Sequence, residues 1–260
     1  MLSKHTHDSR RQLWMACAVA AVSLVLLAPQ GALAERQSRG RKSGPTVPLG
    51  DARLKIEANA TDFDAGIQVF IDAEPWKEME ILDPSGKVIF ESETSGRLGK
   101  QGGTELFLES AEPEFSELPF EEFLKRFPEG TYQFRGTGLE GERYVGEATL
   151  THDVPDGPVL VSPLEGDGLQ DPDHTVLIWE PVEAPNGSPI IAYQVLVVQP
   201  ETDFPALPKV SLDIMMPATA TRLTVPAGFL LPDTEYEWEV LAIETSGNQT
   251  LSSSFFTTAP

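Results

Sequence analysis

The sequence predicts an all-β protein: two β-sandwiches in tandem behind an export signal. Three observations predict it. The first is a pattern that occurs twice, Phe127-Pro128-Glu129-Gly130-Thr131-Tyr132-Gln133-Phe134 and Leu231-Pro232-Asp233-Thr234-Glu235-Tyr236-Glu237-Trp238. Such a run carries a chain over the end of one sheet and starts the next strand, with the tyrosine hydroxyl placed to bond back to the turn backbone. Two corners about one hundred residues apart imply two sandwiches. The second observation is a series of short apolar segments separated by Gly, Pro, Asp and Asn, which is strand and turn chemistry. The third is the amino terminus.

Residues 1–34 read as a secretory signal: Lys4, Arg10 and Arg11 make a basic start, 13–27 an apolar run, and Ala32-Leu33-Ala34 a small-x-small cleavage site. The run is shorter than the roughly twenty residues a membrane span needs, so export and removal are expected, with no stable span afterwards. The protein is then periplasmic or extracellular. Its only cysteine, Cys17, lies inside the signal, so the mature chain is expected to hold no disulfide, thiol nucleophile or cysteine metal cluster. Residues 35–50, with Arg36, Arg39, Arg41 and Lys42 among Ser and Gly, read as a flexible basic leader.

Charge divides the chain. Residues 44–260 hold 12 Lys and Arg against 38 Asp and Glu, a net of −26. That field disfavours nucleic acid and anionic membranes and suits a solvated acidic surface or basic partners.

The first sandwich is placed at 51–153. Segments 67–71 and 79–82 read as separate strands, and Asp83-Pro84-Ser85-Gly86 as a turn into a strand at 87–90. A glycine-bearing loop leads to a strand at 105–109. Phe120, Phe123, Leu124 and Phe127 fall at i, i+3, i+4 and i+7 behind Pro119, the pattern of one short helix facing a core. A hairpin through Gly138 to Gly141 closes the unit. Val154-Pro155-Asp156-Gly157-Pro158 is the joint, too rich in proline to be helix or continuous strand.

The second sandwich, 154–260, shows seven candidate strands, at 159–161, 175–180, 190–198, 209–214, 222–225, 235–245 and 250–257. Trp179 and Tyr193 are placed to fill its centre, with Ile178 facing the other way. Leu177-Ile178-Trp179 followed by Pro181, then Tyr193-Gln194-Val195, the corner at Leu231 to Tyr236, and Val240, Ala242 and Gly247-Asn248 resemble the fibronectin type III module over nearly the whole of this half. The first half resembles the broader immunoglobulin-like class at its corner and last hairpin. The resemblance implies two tandem immunoglobulin-like/fibronectin type III β-sandwiches acting as a spacer or interaction module, with no catalytic residues to carry over.

Sites of chemistry are sparse. His152 and His174 lie far from any strained nucleophile turn, so no serine triad is expected. Glu105, Glu109, Glu112, Glu114, Glu117, Glu121 and Glu122 supply carboxylates for a glycosidase-like pair, but their abundance reads more simply as a solvated face. Asp62 and Asp64, and separately Asp153 and Asp156 at the joint, suit either calcium or ordinary turns. Asn59, Asn186 and Asn248 each head an Asn-x-Ser/Thr triplet. No phosphate-cradling loop, dinucleotide fingerprint or basic aromatic patch is present, so no cofactor is expected. The expected function is non-enzymatic protein interaction or spacing at the cell envelope or outside it. The alternative is a carbohydrate-binding module beside a secreted hydrolase, for which Trp76 and Phe204 are the candidate exposed platforms.

Overall fold

The computed structural model describes residues 44–183, 185–199, 206 and 210–260; the expected signal, leader residues 35–43 and Phe204 lie outside them. The strands in chain order are β1 (Thr46–Pro48), β2 (Asp51–Asn59), β3 (Asp64–Leu82), β4 (Val88–Glu93) and β5 (Gly103–Glu109). The helix α1 (Phe120–Arg126) follows, then β6 (Gly130–Gly138), β7 (Arg143–Leu150), β8 (Leu160–Ser162) and β9 (Val176–Trp179). The chain finishes with β10 (Ile190–Val198), β11 (Val210–Pro217), β12 (Arg222–Thr224), β13 (Glu235–Glu244) and β14 (Gln249–Thr257).

Alternation builds the amino-terminal layers. On β2, Leu54, Ile56 and Ala58 are buried while Arg53, Lys55 and Glu57 point away, as the period of two requires. The segments 67–71 and 79–82 are not separate strands: β3 is one strand of 19 residues that serves two layers. Its first part lies between β2 and β5, and its second part between β4 and β6. The pairing register shifts between Asp72 and Trp76, around Pro75, which has no N–H to donate. One layer is therefore β5-β3-β2 and the other β4-β3-β6-β7-β1. Between them sit Ile56, Ile71, Met79, Ile81, Tyr132 and Phe134, each nearly or fully sealed from solvent. The expected helix is there, with Phe123 buried and Phe120, Leu124 and Phe127 packed against the same cluster. The end of the expected leader is not loose. Thr46–Pro48 pairs in parallel with β7, and the Leu49 N–H donates to the Val145 carbonyl at 2.9 Å.

The carboxy-terminal half stacks the three-stranded sheet β12-β9-β8 on the four strands β11-β10-β13-β14. This is the fibronectin type III-like arrangement the residues led one to expect. Trp179 and Tyr193 meet edge to face at 5.7 Å in a cluster with Val195, Tyr236, Trp238 and Val240, and Ile178 faces outward. Both corners form. The Tyr132 hydroxyl donates to the Pro128 carbonyl at 3.0 Å, and the Leu231 N–H donates to the Tyr236 hydroxyl at 2.9 Å.

The two halves share a sheet. β14 pairs with β2 in parallel at Gln249↔Glu57, Thr250↔Ala58 and Leu251↔Asn59. The result is a seven-stranded layer, β5-β3-β2-β14-β13-β10-β11, that runs through both halves. Ala58 and Thr250 are register partners on its inner side, so the two buried clusters lie on the same face; on the other face Phe107 and Met215 are exposed while Gln68, Leu241 and Gln249 are nearly buried.

Candidate functional site

The seam between β2 and β14 gathers the most unusual chemistry of the described residues. Beneath it, on the core side, Asn248 is 1% exposed. Its Oδ1 accepts the Ile56 N–H at 2.9 Å, and its Nδ2 donates to the Thr151 and Asp153 carbonyls at 3.0 and 3.3 Å. The Thr250 hydroxyl donates to the Pro155 carbonyl, and the Ala60 N–H to the Leu251 carbonyl. The joint thus lies folded under the seam and is hydrogen-bonded into it. Gly157 permits this, because a Cβ there would run into Ala60 Cβ and, at 2.6 Å, Ser252 Oγ. Asp153 stiffens the joint by accepting Asn186 Nδ2 and the Ser188 hydroxyl, bonds that hold its carboxyl below the usual range. That is a direct structural role for Asp153 at the joint. Buried Asn248 is also unavailable as a glycan acceptor.

On the open side, Gln249 straddles the seam. Its Oε1 accepts from Lys55 Nζ at 2.7 Å and its Nε2 donates to the Glu57 carboxylate. Burial pushes the Lys55 ammonium down and the Glu57 carboxyl up from their ordinary values. Carboxylate oxygens of Glu57, Glu109 and Glu112 lie within 4.8 Å of one another. Glu109 sits opposite Gln68, which donates to it at 3.1 Å, and Glu112 lies over Gly66, where there is no side chain to displace it. Partial burial, then Glu109, Asp64 and Glu57, push the Glu112 carboxyl up to about 7. Two strands away Glu239 is also pushed up to about 7, by burial and then by Glu237, Glu57 and Asp62. The three carboxylates make a cluster of like charge at the edge of the seam.

Of the residues singled out by sequence, Glu109 and Glu112 enter this cluster. Glu114 pairs with Asp64 through a single backbone bridge, and its carboxylate accepts the Ser116 hydroxyl at 3.1 Å. Asp62 accepts from Asn59 Nδ2 at 2.9 Å while Asn59 Oδ1 accepts the Thr61 and Asp62 N–H groups, the role of a turn. Burial and the charges of Asp62 and Glu114 raise the Asp64 carboxyl, and one of its oxygens is buried without a partner. His152 contacts the Phe127 carbonyl at 2.8 Å and His174 the exposed Asp171 at 2.9 Å. Trp76 is 4% exposed and packs on Gly103, so it is core and offers no platform. Lys55, Glu57, Gln249 and Glu239 were missed. Only the alternation of β2 hinted at an outward Lys55 and Glu57, and nothing local links them to residues nearly two hundred positions away.

Farther along the open face lies a shallow hollow of about 430 Å³, lined by Arg53, Lys55, Phe70, Phe107, Met215 and Gln249 among others. Phe107 is 62% exposed and pairs across strands with Phe70, over which the Arg53 guanidinium stacks at 4.4 Å. A larger hollow of about 580 Å³ lies along the β4-β3-β6 layer, lined by Glu78, Glu80, Glu91, Glu93 and Arg135 among others.

No family model and no curated protein matches the chain. Solved structures do match. Fibronectin(III)-like modules of CbhA from Clostridium thermocellum are 11% identical, over 81% of this chain and 93% of that one, with a TM-score of 0.33. The FN1–FN3 domains of chicken CNTN1 are 11% identical, over 84% of this chain and 69% of that one, with a TM-score of 0.31. Overlaps this loose leave the site to be read from its own geometry. Among the described residues no helix is long and apolar enough to cross a membrane.

Proposed function

We propose that this is a non-enzymatic, exported interaction or spacer protein, in which two sandwiches at 51–153 and 154–260 are locked into one stiff unit. The observation that carries the reading is the seam: a shared sheet, with the joint hydrogen-bonded beneath it. Tandem domains on a free linker move relative to one another by default, whereas backbone pairing across the junction fixes their angle. A stiff unit suits holding partners at a set distance and presenting a broad open face with loops at its ends. Export rests on residues 1–34, and a protein partner is in keeping with the acidic body. Crosslinking in the native host followed by mass spectrometry tests the reading. Reproducible links from the open face or end loops to one protein support it, and their absence under gentle conditions counts against it.

A second reading, polysaccharide binding, is favoured by one observation: the exposed Phe107 beside Phe70 and Arg53. Retention on a glycan panel that is lost in Phe107→Ala supports it, and no retention on any glycan removes it.

A further inference from the structure

We propose that the seam is a pH-responsive joint: the carboxylates flanking it hold the two halves together when partly protonated and push them apart when fully ionised. The pairing to be weakened is short, three register pairs in one parallel ladder. Like charges bracket it from both sides. From β2 comes Glu57, from β5 Glu109, from the segment after β5 Glu112 and Glu114, from β3 Asp64 and from the turn between β2 and β3 Asp62. From β13, across the seam, come Glu239 and its neighbour Glu237. Among the described residues the facing cations are Lys55 and Arg53. Lys55 is already engaged by Gln249, and Arg53 is paired with Asp51 at 2.9 Å, so neither neutralises the cluster fully.

Glu57 is the pivot. Its carboxylate takes the Gln249 hydrogen bond that closes the seam, yet it also lies among Glu109 and Glu112 and contributes to the field on Glu239. The titration of Glu112 and Glu239 falls near neutrality, so each proton lost there adds repulsion on one side of Glu57 or the other. Glu112 is exposed by surface area, so water screens part of its effect. The inference deepens the reading of a stiff two-part unit and rests on it.

Hydrogen exchange on the full chain, corrected for intrinsic rates, reads the seam directly. The reporters are the Ile56, Ala60 and Ser253 amides, which donate across it, with Val195 and Val240 inside β10 and β13 as controls. Between pH 5.5 and pH 8 the seam amides are expected to lose protection about three- to tenfold relative to the controls. In Glu112→Gln/Glu239→Gln the difference is expected to flatten, and the exposed single change Glu112→Gln gives the same direction should the double variant fold poorly. Seam protection that is unchanged with pH, or a loss that persists in both variants, overturns the inference while leaving the stiff unit intact. Seam amides as unprotected as loops already at pH 5.5 overturn the stiff unit itself.

Discussion

Replacing Asn248 with alanine removes the side chain that ties three parts of the molecule together. In the native chain its oxygen satisfies the buried Ile56 N–H of β2, and its amide satisfies carbonyls of Thr151 and Asp153 in the joint. Alanine leaves the Ile56 N–H without a partner away from water, which costs about 1–3 kcal/mol. The joint carbonyls are partly accessible and recover some hydration, so their loss adds about 1 kcal/mol. The expected destabilisation is about 2–4 kcal/mol, large against a total stability of about 5–15 kcal/mol. Denaturant unfolding followed by tryptophan fluorescence suits the measurement, because Trp76 reports on the amino-terminal cluster and Trp179 and Trp238 on the carboxy-terminal one. In the native protein the two signals are expected to move together; in Asn248→Ala they are expected to separate as the halves uncouple. A loss below about 0.5 kcal/mol with the signals still coincident would refute the claim that this side chain holds the junction.

Three further outcomes follow from the same geometry. Gly157→Ala is expected to weaken the seam, since its methyl meets Ala60 and Ser252, and differential exchange at the Ala60 amide checks it; unaltered protection there removes the close-approach argument. Tyr132→Phe and Tyr236→Phe each delete one corner hydrogen bond and are expected to cost about 1 kcal/mol in denaturant unfolding, with the folds retained. Stability is expected to fall as pH rises from about 4.5 to about 7: the folded-state carboxyls of Glu112 and Glu239 are raised, so the folded chain binds more protons than the unfolded one across that window. After solvent screening the total is about 1–2 kcal/mol, and a melting temperature that climbs from pH 5 to pH 7.5 contradicts the sign.

The parts of this fold that sequence reveals are those fixed by neighbours in the chain. The two corners were legible because a proline-led turn and a tyrosine lie within six residues, so the hydrogen bonds from Tyr132 to Pro128 and from Leu231 to Tyr236 are local. The helix at Phe120–Arg126 was legible from one apolar stripe, and the strands around Trp179 and Tyr193 from alternation between turns. In sequence β3 reads as two strands because its interior holds Asp72, Glu74 and Pro75, which break an apolar run; a strand that changes layers there tolerates them, since its partners also change. Thr46–Pro48 reads as part of the basic leader because three residues carry no period, and the pairing with β7 that orders them is supplied from residues about one hundred positions away.

The seam was illegible for a stronger reason. A parallel pair between β2 and β14 needs no local turn, and its residues, Glu57 to Asn59 and Gln249 to Leu251, would suit any half-exposed strand. Even the tandem-sandwich reading argues against looking for it, because each sandwich closes its own core and has no apolar debt to its neighbour. What betrays the junction is polar. Asn248, Gln249 and Thr250 are three consecutive buried polar side chains, and buried polar groups require partners that their own half does not provide. Their partners are Ile56, Lys55, Glu57 and the carbonyls of the joint, so the same three residues that close the seam also bring Glu57, already beside Glu112, within the field of Glu239. The stiffness of the junction and its sensitivity to proton loss thus have one origin: a joint made from hydrogen bonds rather than from apolar packing.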